Sequence, residues 1–286
     1  MYTFSSKLKV FSFVLIIVGL LGIGYSFISA PKTTADVEKI LEAEAHAHHG
    51  AHDAHAHDAH GHDANSAEAH AEHEEHLNHV LHQLQNKPWA ALYVAAIFFM
   101  LISLGVLAFY AIQNVAQAGW SPVLFRVMQG ITAYLPWGSA IFFVLLILSA
   151  FHFNHLFVWM DPELVNPESP KFDKLINGKK GYLNEWFWLI RAAVFIIGWN
   201  LYRYFSRKNC LAQDEASDNA FYKKNFNISA GFLVFFIVTE SIMSWDWIMS
   251  VDPHWFSTLF GWYVFASFFV SGITVIAMVT LYLKSR

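Results

Sequence analysis

Ionisable side chains lie within the hydrophobic segments of this sequence, where such side chains are rare and usually functional. Arg191 stands in EWFWLIRAAVF, and Glu240 and Asp246 stand in VTESIMSWDW. A charge at the centre of a membrane helix costs about 2.5 to 3.5 kcal/mol on insertion scales, so these residues need partners or water. Carboxylates and hydroxyls within hydrogen-bond reach of one another can pass protons. The residues therefore indicate either proton and quinol chemistry, or an ion pair that only fixes helix packing.

Helical periodicity predicts how these side chains are arranged. Glu240 and Ser244 are four residues apart and share one helix face, whereas Asp246 belongs to the adjacent face. Arg191 and Glu240 each lie about eight residues from the same end of their apolar segments, which places both roughly 12 Å deep. We therefore predict an ion pair between Arg191 and Glu240 on adjacent antiparallel helices.

Two histidines complete the candidate set for a proton path or quinone region. His152 and His155 are three residues apart near the end of an earlier apolar segment, so they face the same way. We predict that they face the polar stripe that contains Glu240. A histidine at a membrane edge is more often an interfacial residue than a haem ligand.

Membrane-spanning helices must position these residues. Of the 286 residues, 56% are hydrophobic and only 14% are charged, which is typical of an integral membrane protein. A bilayer core takes about 20 apolar residues per helix. Six segments satisfy this requirement: 10–28, 89–112, 131–155, 183–205, 228–248 and 258–283. We therefore predict an all-α, polytopic membrane protein.

The distribution of Lys and Arg predicts the orientation. With a cytoplasmic N-terminus, ten of these residues fall inside and seven outside, and most of the ten lie close to helix ends. We predict that both termini are inside. The first span is predicted to be an uncleaved anchor, because 19 mostly apolar residues exceed a normal signal core and Pro31 follows Ala30.

Residues 46–82 hold 13 of the 16 histidines. Alternating His, Ala and Asp provides no apolar face to bury, so we predict disorder where the histidines are densest. A short amphipathic helix is predicted in AEHEEHLNHVLHQLQNKP, before Pro88. Such density favours weak binding of Zn, Cu or Ni, and both a solvated tether and a metal buffer stay open. The weak metal-ligand candidates are His46, His48, His49, His52 and His55.

Six tryptophans are predicted to form a belt at the outer membrane interface. They are Trp159, Trp186, Trp188, Trp245, Trp247 and Trp255. Such a belt also makes an aromatic-lined pocket that a quinone ring could enter. By contrast, no basic patch indicates a nucleic-acid partner. The single cysteine, Cys210, excludes a disulfide, a Cys-based zinc site and a thiolate-held iron–sulfur cluster within this chain.

Three segments carry a resemblance to a known family. They are FHFNHLFVWMDP (151–162), NEWFWLIRAAVF (184–195) and SWDWIMSVDPHWFSTLFGWYVFASFFVSGITVI (244–276). Over roughly residues 88–286 the chain resembles the ActF subunit of alternative complex III, a bacterial quinol:cytochrome c or quinol:oxidase oxidoreductase, and its NrfD and PsrC relatives. The His-rich insertion is not part of this resemblance.

The resemblance implies an NrfD-like fold of about ten helices in two four-helix bundles, in the bacterial inner membrane. It divides the chain into an anchor helix (1–30), a His-rich periplasmic loop (31–87), a four-helix bundle (88–250) and the first helix of an incomplete second bundle (251–286). Four helices would then be missing, and we expect a truncated sequence. The resemblance also implies partner subunits that carry haems and iron–sulfur clusters, and a terminal oxidase as a further partner.

The leading hypothesis is therefore a membrane subunit of a respiratory quinol oxidoreductase. On its own it would catalyse nothing and would bind no cofactor other than quinone or quinol. Two alternatives stay open: a divalent-metal transporter whose His-rich loop gathers ions, and a purely structural anchor. The spans carry no His and Asp pairs at mid-membrane, where a transport site is expected.

Overall fold

The computed structural model describes residues 6–48 and 67–285. Within these ranges the chain is helical and contains no strand, which confirms the all-α polytopic fold. The helices are α1 (Ser6–Ile28), α2 (Thr34–His48), α3 (Ala67–Val115), α4 (Pro122–Ile131), α5 (Leu135–Ala150), α6 (Lys174–Lys179), α7 (Glu185–Glu215), α8 (Ala220–Trp247) and α9 (Phe260–Lys284).

Among the described residues, five helical segments are long and apolar enough to cross a membrane. They are Ser6–Ile28, His76–Val115, Pro122–Ala150, Ala220–Val251 and Phe260–Lys284. The remaining predicted span, residues 183–205, is also helical and belongs to α7. It is not among the five, because Arg191, Asn200 and Arg203 lower its hydropathy. It packs against both α5 and α8 instead of presenting an apolar surface all round.

The first of two compact units extends from Met1 to Leu92. Helix α1 buries none of its residues, so its apolar surface is open to lipid or to another helix. Helix α2, which the sequence did not predict, begins with a capping box. The Thr33 N–H donates to Asp36 Oδ2 at 3.1 Å, and the Asp36 N–H donates to Thr33 Oγ1 at 3.3 Å. The hydrogen bonds from Thr33 lower the pKa of Asp36.

The amphipathic helix expected before Pro88 is present, but it does not end there. Helix α3 begins at Ala67 and continues through Pro88 to Val115. Pro88 removes one backbone hydrogen bond without ending the helix, which shows that tertiary context outweighs the local preference. The backbone of His46 and His48 belongs to the end of α2. The other weak metal-ligand candidates, His49, His52 and His55, lie outside the described residues.

The second unit, Tyr93–Arg286, contains the antiparallel pair α7 and α8 at its centre. Helix α5 packs on α7, and α9 packs on α8. Helices α3 and α9 cross closely at Gly105 and Gly272. A Cβ atom at Gly105 would lie 2.6 Å from the carbonyl oxygen of Phe268, so a larger residue cannot be accommodated there without moving backbone. We call the two ends of this unit the Trp247 end and the Val115 end.

Helix α5 ends in a Schellman motif. The N–H of Phe153 donates to the Leu148 carbonyl, and the N–H of His152 donates to the Ser149 carbonyl. His152 occupies the left-handed position, with φ of 59°, where glycine is usual. The chain then forms short 3-10 turns and α6 before α7 begins.

Aspartates hold the loops at the Trp247 end. Asp161 accepts the N–H of Glu163 at 2.9 Å, as its Asp-Pro sequence suggests. Asp173 caps α6 by accepting the N–H groups of Leu175 and Ile176, and it lies 2.6 Å from Nε2 of His254. These backbone hydrogen bonds and the neighbouring histidine lower the pKa of Asp173.

Candidate functional site

A buried, bidentate ion pair joins α7 to α8. Nε of Arg191 donates to Oδ2 of Asp246 at 2.6 Å, and Nη2 donates to Oδ1 at 3.0 Å. Asp246 is fully buried and Arg191 is 9% exposed. Two parallel charge-assisted hydrogen bonds give this pair a fixed geometry, so both charges are compensated inside the protein.

Three side-chain donors from outside α8 bind the carbonyls of its last turn. The indole N–H of Trp188 donates to the Asp246 carbonyl at 2.8 Å, and the hydroxyl of Ser250 donates to the same oxygen at 2.6 Å. The hydroxyl of Tyr93 donates to the Trp247 carbonyl at 2.8 Å. Because the last carbonyls of a helix lack partners within the helix, these bonds fix the position of Asp246.

Tyr182 covers the ion pair. The guanidinium carbon of Arg191 lies 4.1 Å from the ring centre of Tyr182 and 4.3 Å from that of Phe187, which places the cation against two aromatic faces. Burial raises the pKa of the Tyr182 phenol, and the Asp246 carboxylate raises it further. The phenol is therefore protonated at neutral pH, with the Asp246 carboxylate nearby.

The predicted ion pair between Arg191 and Glu240 is wrong. Along the helix interface Trp199 donates to Thr239 at 3.0 Å, and Arg191 meets Asp246, so α7 begins more than a turn beyond the end of α8. The prediction placed Arg191 and Glu240 at equal depth because it assumed that the two apolar segments end at the same level. The residue opposite Arg191 is therefore Asp246, about 9 Å further along α8 than Glu240.

Glu240 is buried without a cation. It is 4% exposed, its Oε2 accepts from the hydroxyl of Ser241 at 3.2 Å, and its Oε1 has no hydrogen-bond partner among the described residues. Ser244, on the same face, is fully buried and donates to the Ser241 carbonyl at 2.7 Å. Ser244 lies against Gly261 of α9, so this face of α8 points away from α7.

The structure places the two candidate histidines elsewhere. Nε2 of His152 lies 3.3 Å from Oε1 of Glu185, at the start of α7. His152 and His155 both line a cavity of about 460 Å³ together with Asp161 and Lys171. The prediction that His152 faces the polar stripe of α8 is therefore wrong. The reason is the Schellman motif, which turns the chain away from the α5 axis at His152.

Tyr182 also lines an aromatic cavity of about 420 Å³. Its lining consists of Gly178, Lys179, Tyr182, Leu183, Trp245, Met249, Ser250, Pro253, Trp255 and Phe256. The indole N–H of Trp245 is buried and has no acceptor among the described residues. The cavity thus combines apolar walls with an available donor, as small-molecule sites do.

The predicted tryptophan belt is only partly present. Three of its members are almost completely buried in the core: Trp159, Trp188 and Trp247. Trp186 and Trp255 are exposed at 68% and 48%, as an interfacial position requires. Spacing alone did not distinguish the core-facing side of a helix from its interfacial side.

Sequence reasoning missed a second polar cluster, at the Val115 end. Ser206 donates to Oδ1 of Asn225 at 2.7 Å, and Nδ2 of Asn225 donates to Asn114 at 3.1 Å and to the hydroxyl of Tyr110 at 3.2 Å. Asn225 and Ser229 are four residues apart on α8, as Tyr202 and Ser206 are on α7. That repeated polar spacing is the signal that could have revealed the cluster.

No group of three or more His, Cys, Asp or Glu side chains in the described part of the chain could hold a metal ion. No protein-family model matches the sequence, and no curated protein matches it either. Fold and site together define an all-α polytopic membrane protein with a buried Arg–Asp pair next to an aromatic cavity that Tyr182 also lines.

Proposed function

We propose that this chain is an ActF-like membrane subunit of a bacterial respiratory quinol:cytochrome c or quinol:oxidase oxidoreductase, with its Trp247 end on the periplasmic side of the inner membrane. The observation that carries the proposal is that the buried Arg191–Asp246 pair lies next to an aromatic cavity of about 420 Å³, because the ring of Tyr182 packs on Arg191 and also lines the cavity. The sequence resemblance of residues 151–162, 184–195 and 244–276 points to the same class.

The cavity suits a quinone ring. Aromatic walls from Trp255 and Phe256 match the ring, and the unpartnered indole N–H of Trp245 can donate to a quinone carbonyl. Oxidation of a quinol releases two electrons and two protons. In this proposal the electrons leave to haems or iron–sulfur clusters of partner subunits.

The chain's own residues provide the route for protons. Tyr182 lines the cavity and packs on Arg191, and its phenol lies near the Asp246 carboxylate, so it can pass a proton from the cavity towards that carboxylate. Glu240 lies about 9 Å further along α8, and its Oε1 has no hydrogen-bond partner among the described residues. A carboxyl group at lipid depth with no fixed partner is the kind of group that can take up and release a proton.

Turnover and proton release by the purified assembly test this proposal. Tyr182→Phe and Glu240→Gln are compared with the wild type in proteoliposomes that receive a short-chain quinol and an electron acceptor. We expect Tyr182→Phe to slow quinol oxidation severalfold and Glu240→Gln to lower the number of protons released per electron. Glu163→Gln, an exposed change in a surface ion pair, serves as the matched control.

The structural anchor is the main alternative, because a fully hydrogen-bonded buried ion pair can serve packing alone. Full quinol turnover and unchanged proton stoichiometry in both variants would favour the anchor. The metal transporter rests on the 13 histidines of residues 46–82. Uptake of zinc into vesicles that contain the chain would favour it, and haem-bearing partners that co-purify with the chain would exclude it.

A further inference from the structure

A separate cavity of about 210 Å³ lies at the Val115 end, at the other end of the α7–α8 pair from the Arg191–Asp246 site. Helices α3, α4, α7 and α8 all contribute to its walls. The lining residues are Asn114, Pro122, Phe125, Arg126, Asn209, Cys210, Gln213, Asp214, Phe221, Tyr222 and Asn225. The proposed quinol chemistry uses none of them.

One side chain in this cavity indicates a ligand. Asn209 is 5% exposed, and its Nδ2 donor has no acceptor among the described residues. The other amides there are engaged: Asn225 donates to Asn114, and Gln213 accepts from the N–H of Tyr222 at 2.7 Å. A buried donor without an acceptor is unfavourable, so an oxygen atom from a ligand or from water is needed beside Asn209.

The rim of the cavity carries one positive and one negative charge. Arg126 and Asp214 form an ion pair there, with side chains 45% and 58% exposed. Exposed pairs of this kind contribute little free energy, so they can exchange partners readily. Helix α4 begins at Pro122, beside Arg126, and its N-terminal end also favours an anion. Together these groups match a zwitterion that has an anionic part near Arg126 and Asn209 and an ammonium near Asp214.

The position and size of the cavity restrict the ligand further. The cavity lies where three membrane-spanning segments begin or end: His76–Val115, Pro122–Ala150 and Ala220–Val251. This is the depth at which lipid headgroups lie. Its volume is below the roughly 300 to 1,000 Å³ of sites for drug-sized molecules, so a headgroup fits better than a larger metabolite.

We propose that this cavity binds a phosphoethanolamine group, with phosphate oxygens bound by Arg126 and Asn209 and the primary ammonium bound by Asp214. The group could belong to a phosphatidylethanolamine lipid or to free phosphoethanolamine, which have the same polar chemistry. A choline headgroup would fit less well, because its methylated nitrogen has no N–H to donate to the Asp214 carboxylate.

Cys210 reports directly on occupancy. It lines the cavity, is partly exposed and is the only cysteine of the chain, so no engineered label is needed. The full-length chain is reconstituted in vesicles of phosphatidylethanolamine with phosphatidylglycerol, or of phosphatidylcholine with phosphatidylglycerol. Its rate of reaction with a maleimide is then measured. We expect labelling to be severalfold slower in the ethanolamine lipid.

The variants Asn209→Ala and Asp214→Asn should each remove this protection, whereas Asp252→Asn, an exposed change at the Trp247 end, should keep it. If Asn209→Ala does not fold, Asn209→Gln keeps a donor and should retain the protection. Free phosphoethanolamine added to the choline vesicles distinguishes a lipid from a soluble ligand. If the free compound slows labelling and the ethanolamine lipid does not, the ligand is a soluble zwitterion. Equal labelling rates in all conditions, or protection that persists in both variants, would overturn the proposal.

Discussion

The two ends of the α7–α8 interface differ in how their buried polar groups are compensated. At the Trp247 end a full positive charge and a full negative charge lie within 2.6 Å, and further donors bind the carbonyl of Asp246. At the Val115 end the polar groups are neutral amides and hydroxyls, with Asn225 at their centre. Charges inside a membrane protein require nearly complete compensation within the protein, whereas at the neutral end one donor, Nδ2 of Asn209, has no acceptor among the described residues and is left for a ligand or water.

Glu240 is the exception between these ends. It is buried like Asp246, but among the described residues it has no cationic partner and accepts a hydrogen bond from Ser241 alone. Asp246 is therefore a carboxylate whose charge is fixed by its partners, whereas Glu240 is a carboxyl group whose charge can change. Glu240 can hold a proton without disrupting the helix packing, whereas Asp246 can only relay one.

The largest effect is expected from Asp246→Ala. This change leaves the Arg191 guanidinium buried and uncompensated, which typically costs about 3 to 5 kcal/mol. The free energy of unfolding in mild detergent, followed by thermal denaturation, measures it. The double variant Arg191→Met with Asp246→Leu removes both charges and should recover much of the loss. A single variant as stable as the wild type would mean that the pair is not buried in this way.

A smaller effect is expected from Asn225→Ala at the neutral end. The change leaves Asn114 without its donor and Ser206 without its acceptor, which costs about 1 to 3 kcal/mol because both groups are buried. The same denaturation experiment measures it, with Asn177→Ala in the short helix α6 as a control. If Asn225→Ala lowered the free energy of unfolding as much as Asp246→Ala does, the charged and neutral ends would not differ in stability.

Much of the fold could be predicted from the sequence, because long apolar segments determine where helices cross lipid. Helices occur at all six predicted positions, although the helix predicted to end at residue 155 ends at Ala150. The partner of Arg191 could not be predicted, since it depends on where α7 begins relative to the end of α8. A hydropathy pattern does not describe that offset.

The site was predicted in its residue types but not in its pairing. Arg191 and Asp246 were both candidates, yet Asp246 was assigned to a different face from the predicted partner Glu240. Tyr182 was not a candidate at all, because it lies in a loop before α7, and only the fold brings it over Arg191. The position of His152 depends on a single backbone turn, and sequence spacing carries no information about that turn.

A still smaller effect is expected at His152, whose contact with Glu185 is an exposed counterpart of the buried Arg191–Asp246 pair. His152→Gly relieves the left-handed backbone and should stabilise the protein by about 1 kcal/mol or less. The lost contact with Glu185 offsets part of this gain, because exposed pairs contribute about 0 to 1 kcal/mol. Glu185→Gln, measured by the same denaturation, isolates the pair. Clear destabilisation by His152→Gly would mean that the exposed contact with Glu185 contributes more free energy than the left-handed backbone costs.

The smallest change in stability is expected for Glu240→Gln. The glutamine has the same shape, its amide oxygen can still accept from Ser241, and no ion pair is lost, so the change should stay within about 1 kcal/mol. Asp246→Asn, an equally conservative change in a carboxylate that Arg191 binds, should be clearly less stable under the same conditions. If Glu240→Gln instead destabilises as much as Asp246→Asn, then Glu240 has a cationic partner from another chain. Its charge would then be fixed by an ion pair, as that of Asp246 is, and Glu240 could not serve as the proton carrier.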